Sequence, residues 1–183
     1  MHLLKQRKTA WAITILVVLA ASLLGAWTSL GKLRTETADM FVKGVTRDDP
    51  GIQHDLDWLM ELAHNLTVVG GRYLDEADPQ LQAVRKAREQ LSAAASPAAK
   101  YDAADRLVAA SAALILSLGQ RELEARDSQY NQSIKADMES RWLIIARNEY
   151  NDKAAKFNEL LEQFPANVLG KLVGVQPLEL FAP

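Results

Sequence analysis

The chain has 183 residues and no cysteine, with 21 Lys and Arg against 23 Asp and Glu, a net charge of −2. Lack of cysteine excludes a disulfide framework, a thiol nucleophile and lipoprotein-type acylation. The basic tail at the N-terminus has no acids, so the residues from 31 onward carry 18 basic side chains against 23 acidic ones, a balance of about minus five. Nucleic acid is excluded as a partner on that ground, because it calls for a concentrated basic face and no such run is present.

Residues 1–8 form a short basic tail with Lys5, Arg7 and Lys8, and residues 9–31 follow without a charged side chain. Twenty-three helical residues span ~34 Å, enough to cross the hydrocarbon of a bilayer. Trp11 and Trp27 stand near the two ends, where amphipathic rings prefer the headgroup level, and Lys32 and Arg34 close the run. A secretory signal peptide opens in the same way, but its apolar core is usually ~7–15 residues with small residues at the cleavage site. A buried core helix is the third reading, and such helices rarely stay uncharged on every face for this long. The expectation is a retained signal anchor, with the lipid bilayer as the partner of residues 9–31. Bases near the span are almost evenly divided, with Lys5, Arg7 and Lys8 before it and Lys32, Arg34, Lys43 and Arg47 after it. The second group is interleaved with acids, which tips the reading towards an N-terminus inside.

Prolines divide the remainder into helices, being tolerated in a first turn and destructive further in. The anchor helix continues through Leu30, Leu33, Met40 and Phe41 to about Val45, and Arg47 to Gly51 turns the chain. A second helix is spelled by Ile52, Leu56, Leu59, Ala63, Leu66, Val69 and Tyr73, spaced by fours and threes, with Gly70 and Gly71 at its last turn. Asp78-Pro79 and Ser96-Pro97 each place a capping side chain before a proline at the first helical position, and so start two more helices. The first carries Leu81, Val84 and Leu91, with Arg85, Lys86 and Arg88 read as a solvated face. The second carries Tyr101, Ala104, Val108, Ser111, Ile115 and Leu118 and ends near Gly119.

From Glu122 to Phe164 there is neither proline nor glycine, which predicts one long helix. Tyr130, Ile134, Met138, Trp142, Ala146, Tyr150 and Ala154 recur along it at strict fours, a period that drifts ~40° per step around a 3.6-residue helix. Between Arg147 and Lys153 only Tyr150 is large and apolar. With no alternating strand pattern in competition, the predicted fold class is all-α: a single N-terminal transmembrane helix continuing into an antiparallel, roughly four-helix bundle. The bundle takes residues 32–183, with a proline-broken C-terminal tail from 165.

The end of the chain carries a series of short motifs: Arg147-Asn148-Glu149-Tyr150-Asn151, Phe157-Asn158, Phe164-Pro165-Ala166-Asn167, then Gly174-Val175-Gln176-Pro177 and Phe181. In order and spacing they resemble the end of the LemA family, whose members close with an arginine-rich "RRDYN", a "YN", an "FPGN" and a glycine-proline-phenylalanine tail. The family's layout of a very short tail, one membrane helix and a helical bundle is similar too. The first half departs from the family pattern, with Pro50-Gly51 and Trp58-Leu59-Met60 where a basic pair and a Leu-Ile-Pro-Asn-Leu type segment are usual. The chain is identified as a divergent member. The resemblance implies a single-pass membrane protein without an established activity and points to Arg147, Tyr150, Asn151, Asn158, Phe164, Pro165 and Asn167 as candidate interaction residues.

Chemistry-bearing constellations are sparse. Helical bundles host two-metal carboxylate sites built from Glu-x-x-His pairs, and Glu61-Leu62-Ala63-His64 is one such pair. A second pair is missing, because the other histidines are His2 and His54, the latter three residues after Gly51. His64 is accordingly read as a partly buried polar residue of the second helix. No nucleophile elbow and no phosphate-cradling loop occurs, since Gly70-Gly71 and Gly170 to Gly174 lack the lysine and helix start that such loops require. Asn65-Leu66-Thr67 fits the glycosylation pattern but falls inside a helix. No cofactor, no metal and no enzymatic activity is expected.

Contact is the function left. The first reading is a membrane-tethered interaction module that presents a helix face or its C-terminal tail to a membrane or envelope protein. The tail keeps Val168, Leu169, Leu172, Val173, Leu178, Leu180 and Phe181, too apolar for a free end, so the competing reading folds it back onto the bundle. A homo-oligomeric scaffold and a metal-binding or enzymatic bundle are the alternatives.

Overall fold

The computed structural model describes residues 7–45 and 50–182, with Lys8 described by its backbone alone. Lys5 and the rest of the basic tail before Arg7, His2, the turn residues Arg47 to Asp49 and Pro183 lie outside the described residues. The elements are helices α1 (Arg7–Lys43), α2 (Ile52–Gly70), α3 (Pro79–Ala93), α4 (Pro97–Gly119), α5 (Ala125–Ala146), α6 (Tyr150–Glu162) and α7 (Ala166–Val173). No strand occurs among the described residues, so the all-α reading holds.

Two compact units divide the chain: Met1–Ala38 with Lys153–Leu178, and Asp39–Asp152 with Glu179–Pro183. The divide passes through α1 and α6. The second unit contains a four-helix bundle in which α2 packs on α3, α4 and α5, and α4 packs on α3 and α5. Its interior holds residues the helical periods select, with Ile52, Leu56, Leu59, Leu66, Leu81, Val84, Leu118 and Ile134 essentially inaccessible, and adds Leu107 and Leu114 of α4, which the sequence reading passed over in favour of the half-buried Tyr101 and Val108. Each such side chain contributes roughly 1.5–3 kcal/mol of burial. The proline-marked starts form as their sequences direct. Asp78 Oδ1 accepts from the backbone N–H groups of Gln80 and Leu81 at 2.9 and 3.3 Å, and Ser96 Oγ from Ala99 N–H at 3.4 Å. Gly51 is required where α2 begins: a Cβ there would lie 2.5 Å from the carbonyl oxygen of Phe41, on backbone that cannot yield cheaply.

The first unit holds the apolar stretch of α1. Trp11, Leu16, Leu19, Leu24 and Trp27 are all exposed, and nothing covers the most apolar part of the helix. The stretch is long and apolar enough to cross a membrane. Two of its hydroxyls bond within the helix, Thr14 donating to the Ala10 carbonyl and Thr28 to the Leu24 carbonyl, both at 3.0 Å.

The long helix expected from Glu122 to Phe164 is two helices. α5 stops at Ala146 and α6 starts at Tyr150, because Asn148 caps the new helix: its Oδ1 accepts from Tyr150 N–H at 2.9 Å. Asn148 needs neither proline nor glycine to do this, and the polar run from Arg147 is the visible trace of the break. The buried seam of α5 also differs from the strict fours. Asp127, Asn131, Ile134, Met138 and Ile145 are buried and Tyr130 and Ala146 are exposed. The real spacing alternates fours and threes, as a straight helix against a flat neighbour requires, and polar side chains occupy its first two positions. The proline-broken tail regains a short helix, α7, which Gly174 ends in the left-handed conformation with φ of 75°.

Candidate functional site

The residues marked by the C-terminal motifs fasten the end of the chain. In the unit formed by Asp39–Asp152 and Glu179–Pro183, Asn151 sits at the start of α6 and clips Phe181 by both backbone groups. Its Nδ2 donates to the Phe181 carbonyl and its Oδ1 accepts from the Phe181 N–H, each at 2.8 Å. One amide side chain thus replaces both partners that an extended residue would find in a sheet. Tyr150, buried, donates its hydroxyl to the Glu179 carbonyl at 2.7 Å. Phe181 is thereby held in an aromatic cluster, edge-on to Tyr101 at 5.3 Å between centroids and 5.9 Å from Phe41, which itself meets Tyr150 edge-on at 5.2 Å. Trp142 extends the cluster, 6.0 Å from Tyr101, and the Lys100 ammonium lies 5.8 Å from the Phe41 ring centroid.

In the unit formed by Met1–Ala38 and Lys153–Leu178 the same chemistry recurs. Asn158 Nδ2 donates to the Leu178 carbonyl at 2.9 Å and Oδ1 accepts from Leu178 N–H at 2.8 Å. Asn151 and Asn158 are seven residues apart on α6, two turns and therefore one face of that helix. Arg34 Nε, on α1, donates to the Gln176 carbonyl at 2.8 Å. Phe164 and Pro165, joined by a cis peptide bond, precede α7, and Phe164 projects outward. Asn167 is half-buried in the first turn of α7, and its N–H donates to the Gln163 carbonyl at 2.8 Å. Arg147 is exposed at the end of α5. Trp11 and Trp27, named as interface anchors, are exposed on α1.

Motif spacing marks Tyr150, Asn151 and Asn158 as candidate interaction residues, and in the structure all three hydrogen-bond the chain's own backbone, while Arg147 and Phe164 lie on the surface. It misses the polar residues built into the bundle itself. Asp127, at the start of α5, accepts from the Tyr73 hydroxyl at 2.7 Å and from Arg72 Nη1 at 2.7 and 3.0 Å. The Tyr73 hydroxyl first and the Arg72 guanidinium second hold its carboxyl below the usual carboxylate value, against the opposing effect of burial. Arg72 and Asp127 border an open cleft of about 600 Å³, which Arg126, Tyr130 and Ser133 also line. Asp55, 1% exposed on α2, pairs with Arg141 Nη1 at 2.9 Å, and the Arg141 guanidinium lies over the Trp58 ring, 4.6 Å from its centroid. Asn131 Nδ2 reaches the Ile115 carbonyl at 3.2 Å. The available signal was position: Asp55 precedes the core residue Leu56, and Asp127 and Asn131 lie at seam spacing ahead of Ile134 and Met138.

His64 was expected partly buried and is exposed, because it occupies the outer face of α2, where its Nδ1 lies 3.1 Å from Arg88 Nη1. Of the basic cluster on α3, Lys86 is solvated, while Arg85 pairs with Glu76 and Arg88 meets His64. Among the described residues no set of three or more His, Asp and Glu side chains is gathered in metal-binding geometry. Most of the buried polar groups named above bond a backbone group or an opposite charge, while Asp55 Oδ2, Asn131 Oδ1 and Asn167 Oδ1 have no hydrogen-bond partner among the described residues.

The model of the LemA family matches residues 50–183 of the chain. The match covers the bundle and every motif from Arg147 to Phe181. No curated protein and no solved structure matches the chain.

Proposed function

The chain belongs to the LemA family, and from that premise we propose that it is a single-pass membrane protein whose helical bundle acts as a non-catalytic interaction or scaffold module. The observation that carries the reading is α1: one helix whose apolar part is uncovered and whose later residues enter the unit that contains the bundle. The basic tail lies inside and the bundle on the opposite face, where it meets a membrane or envelope protein. The ion pair Arg141–Asp55 ties α5 to α2, and Arg72–Asp127 ties the turn after α2 to α5, which supports a structural use of these charges.

The chain has no cysteine, so single cysteines report cleanly. Gln90→Cys, on the exposed face of α3, is expected to react with a membrane-impermeant maleimide in intact cells, with the protein resistant to alkaline carbonate extraction. Proximity labelling from the C-terminus of the full chain is expected to mark a reproducible set of membrane proteins. Extraction by carbonate sinks the anchor, and near-stoichiometric iron, zinc or manganese in the purified full chain sinks the non-catalytic reading.

A further inference from the structure

In the unit that holds the apolar part of α1, the short helix α7 has two unlike faces. Gly170 is its inner point: a Cβ there would lie 3.2 Å from Leu161 and 3.7 Å from Leu30. Directly opposite on the helical wheel stand Val168 and Leu172, four residues apart. They are 50% and 67% exposed, and Phe164, just ahead of the helix, is 84% exposed. Three large apolar side chains in water on an eight-residue helix and its lead-in call for a cover.

The cover follows from where α7 touches α1. Leu30 is the penultimate residue of the uncharged run, one residue before Gly31 and two before Lys32. Trp27, the exposed ring that suits the headgroup level, lies three residues earlier, ~4.5 Å along the helix axis. Beyond α7 the chain continues alongside α1, away from the span, with Gln176 tied to Arg34. Lys171, exposed beside Leu172, and Lys32 supply cations at this level, suited to snorkelling towards phosphates.

We propose that α7 is an interfacial helix that lies in the bilayer surface where α1 leaves it, with Phe164, Val168 and Leu172 inserted among the upper acyl chains and Lys171 at the headgroups. The occupant of this face is the lipid surface itself. The proposal rests on the membrane reading of α1 and adds a second, in-plane attachment to it. A single helix allows a protein to rotate and tilt freely, whereas a second contact at the exit point fixes the segment that carries Asn158 and Leu178 against the bilayer surface.

The test uses the full chain in vesicles of phosphatidylcholine and phosphatidylglycerol, carrying one spin label at a time on cysteines placed at Leu19, Phe164, Val168, Leu172 and Glu89. Collision with oxygen, which partitions into lipid, is compared with collision with a water-soluble nickel chelate. The expected result is oxygen preferred severalfold at 164, 168 and 172, at a shallower depth than at 19, with the nickel chelate preferred at 89. If Leu19 is in lipid while 168 and 172 prefer the nickel chelate, the interfacial helix falls and the span stands. If Leu19 itself is in water, both fall. Labels at 168 and 172 that neither reagent reaches mean a second protein surface covers the face, which also overturns the proposal. A double variant, V168E with L172E, is expected to move the label at 164 into water without changing the melting of the chain; a label that stays in lipid overturns the proposal.

Discussion

The apolar part of α1 and the α2–α5 bundle draw on the same residues, Leu, Ile, Val and Ala, and place them oppositely. In the bundle Leu59, Leu66, Leu107 and Leu114 are wholly inaccessible, and the few buried charges, Asp55 and Asp127, are paired. Along α1 Leu16, Leu19 and Leu24 face outward and no charge occurs from Thr9 to Gly31. The difference shows that composition alone does not mark a core; the presence of a polar face does. A helix with one charged side turns its other side to a neighbour, whereas a helix without any leaves its cover to come from outside the chain.

The largest effect that sets the bundle apart is expected at its buried ion pair. Arg141→Ala removes the partner that the structure gives the Asp55 carboxylate and also empties the face of Trp58. An uncompensated buried charge costs about 3–5 kcal/mol. At this chain length that is a fall in melting temperature of roughly 6–20 °C, read by far-UV circular dichroism of the full chain in detergent. An unchanged melting temperature would mean that Asp55 finds water in place of the guanidinium.

Leucine truncation contrasts the two regions directly. Leu59→Ala, in the bundle, is expected to cost about 2–5 kcal/mol, because the vacated volume cannot fill. Leu19→Ala, on the uncovered part of α1, is expected to leave the same melting curve within about 0.5 kcal/mol. Equal effects at both positions would show that α1 has a protein partner along its apolar length.

Next in size are the asparagine clips. Asn151→Ala strands the N–H and carbonyl of Phe181, and Asn158→Ala those of Leu178. Each is expected to cost about 1–3 kcal/mol, as buried backbone groups lose their partners. The more telling readout is carboxypeptidase digestion of the folded chain, which is expected to trim the last residues faster in either variant, while Arg147→Ala, an exposed position, leaves the rate unchanged.

Legibility in the sequence obeys the same asymmetry between local and distant causes. Helix starts at Asp78-Pro79 and Ser96-Pro97 were legible because cap and proline act locally, and the apolar run to Gly31 was legible because an unbroken absence of charge is hard to miss. The break at Asn148 was not, since an asparagine can cap a helix or ride on one with little difference in the residues around it. The seam of α5 was misplaced for a related reason. Asp127 and Asn131 are buried, and a search for apolar periodicity passes over them towards Tyr130, which is exposed. Polar residues that go inside do so because a partner from another helix or turn, here Arg72, Tyr73 or the Ile115 carbonyl, is waiting there, and no local pattern records that partner. The C-terminal motifs marked the right asparagines but not their task, which appears only when Leu178 and Phe181 arrive.

The smallest expected effect is also the most specific, because it depends on pH. Asp127 has its carboxyl held below the ordinary value by Tyr73 and Arg72 in the folded chain. The unfolded chain therefore takes up a proton first as the solution is acidified, and protons favour unfolding. This contribution is fully present above the unfolded value near 3.9 and is lost as the pH falls through the lower, folded one. Asp127→Asn keeps an oxygen for the Tyr73 hydroxyl and removes the charge. The variant is expected to melt below the parent at pH 7 and to converge with it between pH 4 and the acid end of the titration, since at low pH both side chains are neutral. Melting temperatures of the full chain in detergent across that range give the result. Curves that stay parallel would show that Asp127 acts through shape alone and owes nothing to its charge.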